Sequence, residues 1–215
     1  MSNQIKVSLP VIRRLPKYYR YLGELLQNGV IKISSSGLAR IMGTTASQVR
    51  QDLNCFGGFG QQGIGYNTEL LRNEIGKLLY RGQRLETILI GVGSLGQTIS
   101  KWITAEDRGY HLAAAFDANP ALFGSEVCGA PVLPIEKLAE YCRLHKPQVA
   151  VLCIPREPAR KLAPTLVGLG IRGFWNFSHY DLSVNNPDII VENVHLGDSL
   201  MSLAFRVHNE AVSHP

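Results

Sequence analysis

Ile88-Leu-Ile-Gly91-Val-Gly93-Ser-Leu-Gly96 decides the reading of this chain. Residues 87–90 have the short apolar character of a buried parallel strand, and residues 97–103 read as a helix. Between them stands Gly91-x-Gly93-x-x-Gly96. A second apolar run, 112–116, ends on Asp117, 21 residues beyond Gly96. Each part has a task in holding a dinucleotide. Gly91 permits the tight turn, Gly93 lets backbone N–H groups approach a pyrophosphate, and Gly96 lets the helix pack closely. The helix N-terminus favours the phosphate charge. Asp117 accepts hydrogen bonds from an adenosine ribose, which selects NAD over NADP. The candidate contacts here are Gly91, Val92, Gly93, Ser94, Leu95, Gly96 and Asp117. A plainer reading is a glycine-rich turn that binds nothing. The strand before it, the helix after it and the acid closing the next strand favour the nucleotide site.

The chain has 215 residues, 45% hydrophobic and 18% charged, enough for one or two globular domains. No apolar run reaches the ~18 residues of a membrane span. Lys6, Pro10, Arg13 and Arg14 interrupt any signal-peptide core. Cys55, Cys128, Cys142 and Cys153 form no C-x-x-C pair, which suits a reduced, cytoplasmic protein. The six histidines show no metal-ligand spacing with one another or with the cysteines, so no metal site is expected. Charge is unevenly placed. Residues 1–84 hold twelve Lys and Arg against four Asp and Glu, net +8; residues 85–215 hold ten against thirteen, net −3. A basic first part joined to a mildly acidic second part suggests two domains, the first meeting a polyanion.

Residues 11–26 interleave Arg13, Arg14, Lys17 and Arg20 with three tyrosines, while Leu15, Tyr18, Leu22 and Leu25 recur at helical spacing and face a core. The basic side chains fall on other faces, open to phosphates. Pro16 is disfavoured inside a helix. Ser34 or Ser35 then caps a short helix over 38–42, and Gly43 makes a turn. Thr44 or Thr45 caps the next helix, with Thr45 and Gln48 placed for a capping box. Helix, glycine turn and capped helix form a helix-turn-helix. Ala46, Val49 and Leu53 face the core. Ser47, Gln48 and Gln51 lie opposite, where they reach base edges in a major groove. Arg50 lies towards the flank and is assigned a phosphate, and Thr45 at the helix start joins the set. Residues 56–66 read as a hairpin with Gln61 and Gln62 at its tip. After a helix-turn-helix, a hairpin is a wing able to enter a minor groove. Thr68 is expected to cap a helix over 69–80.

Beyond the glycine fingerprint, strand and helix alternate. Strands are expected at 132, 149–154, 173–177 and 189–194, and helices over 134–145 and 157–169. The pattern is a doubly wound parallel sheet, whose ligands bind beyond the carboxyl ends of its strands. Pro155, Asn176 and Phe177 sit at such ends and are expected beside the nicotinamide. The last helix, 196–212, carries Leu196, Leu200, Leu203, Ala204 and Val207 on one face. It covers either its own domain or a second copy.

Several linked motifs together resemble the Rex family of bacterial redox-sensing repressors over nearly the whole chain. They are Arg14-Leu-Pro-x-Tyr-Tyr-Arg20, Gln48-Val-Arg-x-Asp-Leu53, Phe56-Gly-x-Phe-Gly60, Gly63-x-Gly-Tyr66, Gly91-Val-Gly-x-Leu-Gly96, Phe116-Asp117, Asn176-Phe177 and Val191-Glu-Asn-Val194. The resemblance implies an N-terminal winged helix-turn-helix domain (1–84), a Rossmann-like NAD(H)-binding domain (85–195) and a C-terminal helix (196–215) exchanged across a homodimer. It also implies repression from operator DNA, and release when NADH replaces NAD⁺. Two positions depart from the family pattern. Many members carry an aspartate, able to pair across the dimer with the arginine matching Arg14, where this chain has His195; many carry proline at the position of His179.

No nucleophile–base or acid–base pair is evident, so sensing without turnover is expected. The operator of a two-fold dimer is a palindrome of double-stranded DNA. One alternative is a small NAD-dependent oxidoreductase with a basic N-terminal extension. Another keeps the DNA binding and exchanges the dinucleotide for coenzyme A.

Overall fold

A computed structural model describes residues 7–56, 60–61, 65–80, 84–105 and 109–213. The chain divides into two compact units, Met1–Gln83 and Arg84–Pro215.

The first unit contains α1 (Leu9–Gln27), β1 (Lys32–Ile33), α2 (Ser35–Met42), α3 (Ala46–Asn54), β2 (Gly60–Gln61), β3 (Gly65–Asn67) and α4 (Thr68–Tyr80). Helix α1 runs unbroken through Pro16, although proline denies the Ile12 carbonyl its helical donor. Burial of Val11, Leu15, Tyr18 and Leu22 on one side of α1 outweighs that cost. Ser34 caps α2 by accepting from the Gly37 N–H at 3.0 Å. Gly43 then turns the chain at φ 67°, a conformation that glycine adopts without penalty. Thr45 caps α3 by accepting from the Gln48 N–H at 3.1 Å. The expected capping box is not reciprocal, because the Gln48 side chain turns elsewhere. Strands β1, β3 and β2 form an antiparallel sheet in that order, with Gly60 opposite Tyr66 and Gln61 opposite Gly65. This is the wing. Asn67, not Thr68, caps α4, accepting from the Leu70 N–H at 2.9 Å. Val49 and Leu53 of α3 join Leu15, Tyr18, Leu22, Leu38 and Ile75 in one core.

The second unit opens with β4 (Leu85–Ile90), α5 (Ser94–Thr104) and β5 (Tyr110–Asp117). It continues through β6 (Glu126–Val127), β7 (Ala130–Pro134), α6 (Leu138–His145), β8 (Val149–Leu152), α7 (Arg156–Gly168), β9 (Gly173–Asn176), β10 (Ile190–Asn193) and α8 (Leu196–Ser213). The sheet order is β10-β9-β8-β4-β5-β7-β6, and every pairing except β6–β7 is parallel. From β4 the chain winds outward through β5 and β7, then returns to β8 on β4's other edge. The strand order therefore reverses between β4 and β8, which opens a crevice at their carboxyl ends. Alternation along β4 divides the core: Ile88 and Ile90 pack with Phe116, Leu152 and Leu166, while Leu89 packs with Val92, Val151 and Phe177 on the other face. Strand β6 was not legible as such. It leads into β7 through a two-residue turn in which Cys128 and Gly129 both have positive φ (51° and 82°). On α8, Leu196, Leu200, Leu203 and Val207 are exposed in the single chain. No helix among the described residues is long and apolar enough to cross a membrane.

Candidate functional sites

The reversal point holds a cavity of about 560 Å³, lined by Gly91 and Gly93 from the loop after β4, Asp117 from the end of β5, and Ile154 and Pro155 from the segment after β8. The glycine loop is clamped on both sides. The Gly91 N–H donates to the Phe116 carbonyl at 2.8 Å, and the Cys153 N–H donates to the Ile90 carbonyl at 2.8 Å. At Gly91, with φ +92°, an added Cβ would stand 2.5 Å from the Cys153 carbonyl oxygen. At Gly96 an added Cβ would stand 2.0 Å from the Gly91 carbonyl oxygen. At Gly93 it would meet nothing within 4 Å. Two glycines therefore bring helix and strands together, and the middle one leaves space for a ligand. The first-turn N–H groups of α5, on Ser94, Leu95 and Gly96, have no acceptor within their own helix and bear its positive dipole end.

Asp117 has two roles in this geometry. Its Oδ2 accepts from the Val92 N–H at 2.6 Å and its Oδ1 from the Asn119 N–H at 2.8 Å. A carboxylate offers about four acceptor positions, so capacity remains for ribose hydroxyls. The same side chain holds the glycine loop and faces the cavity. Burial pushes the Cys153 thiol on the cavity wall up to about 12, so it stays protonated.

Asn176 and Phe177 do not line this cavity. The Asn176 amide, fully buried, donates to the Tyr180 carbonyl at 2.6 Å and to Asn193 Oδ1 at 2.7 Å. Its oxygen accepts from the Ser178 N–H at 3.1 Å and the Ser178 hydroxyl at 2.6 Å. Both donors and both lone pairs are committed, so Asn176 ties β9, β10 and the following loop together. Phe177 packs on Trp175 with ring centroids 4.9 Å apart. Lining residues without a signal in the sequence reading include Ile135, Pro158, Lys161 and Leu162. The last three share one face of α7 at helical spacing, and counting i, i+3 and i+4 on from 158 finds them.

In the first unit, Ser47, Arg50, Gln51 and Asn54 line one open face of α3. Their spacing is i, i+3, i+4 and i+7, a helical stripe. Arg50 belongs to this face, steadied by an Nη1 bond to Ser35 Oγ at 3.1 Å. Gln48 does not: its amide donates to Asp52 Oδ1 at 2.8 Å. Asn54 was missed, and its i+7 relation to Ser47 would have found it. Arg14 and Lys17, read as phosphate contacts, also have partners within the unit. Arg14 donates to Asp52 through Nε at 2.7 Å and Nη2 at 2.8 Å. Lys17 donates to the Met42 carbonyl at 2.8 Å, meeting the negative end of α2. Arg13 is exposed on α1, and Thr45 is exposed at the start of α3. Gln61 lies in β2, and Gln62 lies outside the described residues.

A family described as "Putative DNA-binding protein N-terminus" matches residues 6–54, and one described as "CoA binding domain" matches residues 83–180. The redox-sensing transcriptional repressor Rex of Thermoanaerobacter pseudethanolicus is 49% identical over 98% of this chain and 93% of its own. The chain belongs to the Rex family. A second Rex, from Clostridium perfringens, is 44% identical over 98% of this chain and 99% of its own. Among solved structures, the chain is similar to a Rex-family repressor, RSP, in complex with beta-NAD⁺ and operator DNA. The identity is 48%, the TM-score 0.85, and the match covers 96% of this chain and 94% of that one. RSP in complex with beta-NADH matches with 45% identity and a TM-score of 0.87, covering 96% and 97%. The family is one of transcriptional repressors and not of enzymes, so the Rossmann-like unit is a redox sensor. The oxidoreductase alternative is set aside.

Proposed function

We propose that this Rex-family chain reads the NADH/NAD⁺ ratio at the Gly91–Gly96 loop and converts it into occupancy of a palindromic operator in the cytoplasm. The observation that carries this reading is the cavity at the strand-order reversal, bounded by the glycine loop and Asp117. Residues 85–195 serve as the NAD(H) domain and residues 1–84 as the DNA-binding domain. Ser47, Arg50, Gln51 and Asn54 are the reading face, with Thr45, Arg13 and the wing glutamines Gln61 and Gln62 at its edges. The functional unit is a homodimer in which residues 196–215 cross to the second copy, covering the exposed leucines of α8. The two ligands differ by one charge on the nicotinamide, and a ligand shifts an equilibrium only by its differential affinity for the two states. NADH must therefore favour the dimer form that no longer matches two half-sites.

Titrating NADH into the protein bound to a palindromic operator, followed by fluorescence anisotropy, tests the reading directly. Release by NADH but not by NAD⁺ is expected, and NADH-insensitive binding would overturn it. Calorimetry with NADH, NADPH and coenzyme A separates the dinucleotide from the ligand that the second family description suggests.

Two substitutions divide the sites. Asp117→Ala removes the ribose acceptor and the Val92 anchor together. A hydrogen bond to a charged group is worth ~1.5–3 kcal/mol, so the NADH dissociation constant should rise at least about tenfold, with operator affinity unchanged. Gln51→Ala should lower discrimination between operator and altered sequence by the ~1–3 kcal/mol of one base contact. Its salt dependence should stay as in the parent. A reduced salt slope instead would assign Gln51 to a phosphate.

A further inference from the structure

Two imidazoles outside both sites meet where β10 leads into α8. His179 stands in the loop after β9, and His195 stands between Asn193, the end of β10, and Leu196, the start of α8. Their Nδ1 atoms are 3.2 Å apart. The rings are 21° from parallel, with centroids 5.2 Å apart. His179 has φ +58°, in the left-handed region that residues other than glycine seldom occupy. Its neighbours hold it there: Ser178 and the Tyr180 carbonyl are both bound to the buried Asn176 amide. A strained residue persists where its surroundings over-determine it. The loop thus presents one imidazole edge to another.

We propose that His179 and His195 together bind a divalent transition-metal ion, of which Zn²⁺ is the type, through their two Nδ1 atoms. At Zn–N lengths of ~2.0–2.1 Å, tetrahedral geometry sets two ligand nitrogens roughly 3.3–3.4 Å apart. The observed 3.2 Å is nearly that bite. Without metal, one proton lies between the two Nδ1 atoms. With metal, each neutral ring carries its proton on Nε2 and turns both Nδ1 lone pairs to the ion, so the shared proton moves by way of solvent to Nε2 and no other bond changes. The Asp181 carboxylate, held by the Ser183 N–H and hydroxyl, lies within electrostatic range of His195 and favours a cation. In the single chain His179 is exposed and His195 half-buried, so an ion can reach the pair there. Water completes the coordination, which makes the site exchangeable rather than structural. The two histidines stand 16 positions apart, a spacing that matches no sequence motif, because the fold alone makes the pair.

The test is calorimetric titration of the full chain with Zn²⁺ and with Ni²⁺, above the imidazole range. One equivalent per chain is expected. His195→Ala and His179→Asn should each weaken it at least about tenfold, the smallest loss typical even for residues that only support metal ligands. Asparagine tolerates the left-handed backbone at 179. His208→Ala should leave the titration unchanged. In the unaltered chain, imidazole nitrogen resonances should report Zn²⁺ at Nδ1 of His179 and His195, independently of how any variant folds. Equal affinity in both variants, or resonances that answer to protons but not to Zn²⁺, would overturn the proposal.

Discussion

Gly96→Ala abolishes dinucleotide binding, with an NADH dissociation constant raised at least about a hundredfold, and leaves a repressor that no longer hears its signal. The added methyl would lie 2.0 Å from the Gly91 carbonyl oxygen. Gly91 cannot withdraw, because the Cys153 carbonyl and Ile154 close its other side. Helix α5 must therefore move away from the loop, carrying with it the N–H groups of its first turn. Overpacking of this kind costs ~1–3 kcal/mol in stability. The loss in binding is larger, since each charge-assisted bond to a phosphate is worth ~1.5–3 kcal/mol and two or more are displaced together. Gly93→Ala supplies the contrast. Its methyl meets nothing within 4 Å in the free chain, so the melting temperature should hold while NADH affinity falls, because the methyl enters the ligand's space. Calorimetry with NADH and thermal denaturation of both variants check the pair. Operator binding that persists in Gly96→Ala and ignores NADH would confirm that the defect is confined to sensing.

The same glycines show why part of this molecule was legible in its sequence. A fingerprint set between a strand and a helix has few structural solutions, and the loop and the place of Asp117 at the end of the next strand followed from it; the strand-order reversal came only with the sheet. Helix faces followed from period: Val49 and Leu53 are buried where periodicity placed them. What escaped was the partner of each polar side chain. Spacing set Gln48 opposite the core, yet Asp52, one turn on, is itself buried and draws the amide inward. Arg14, Lys17 and Asn176 looked available because composition records donors without their acceptors. Strand β6 was missed because its turn is made by Cys128-Gly129 rather than the Asn-Gly or Asp-Gly that marks such hairpins. The meeting of His179 with His195 depends on two chain segments that only the sheet aligns.

Asp52 supplies the second large effect, and it bears on what Arg14 does. The carboxylate is completely buried and accepts four bonds, two from Arg14, one from Gln48 and one from the Tyr18 hydroxyl at 3.0 Å. This cluster ties α1 to α3, the helix that carries the reading face. Asp52→Ala leaves a guanidinium, an amide and a buried phenol without their acceptor. Removing one partner of a buried pair costs ~3–5 kcal/mol; with the Arg14 side chain 31% exposed, the lower end of that range applies. For a unit of this size, about 3 kcal/mol corresponds to ~12–24 °C in melting temperature. The first unit should therefore melt early and operator binding should fail, while NADH still binds the second. A role for Arg14 mainly on DNA predicts the opposite: Asp52→Ala would free the guanidinium, and operator affinity would hold or rise. Acid titration adds an independent check. Burial pushes the Asp52 carboxyl up, but the bonds from Arg14, Gln48 and Tyr18 outweigh it and hold the group below its ordinary value. A depressed carboxyl stabilises the fold above its unfolded value of about 3.9 and loses that stability as pH falls through the folded value. The first unit of the parent protein should thus weaken below about pH 4. In Asp52→Ala that part of the acid dependence should be absent, because the proton has no site to occupy.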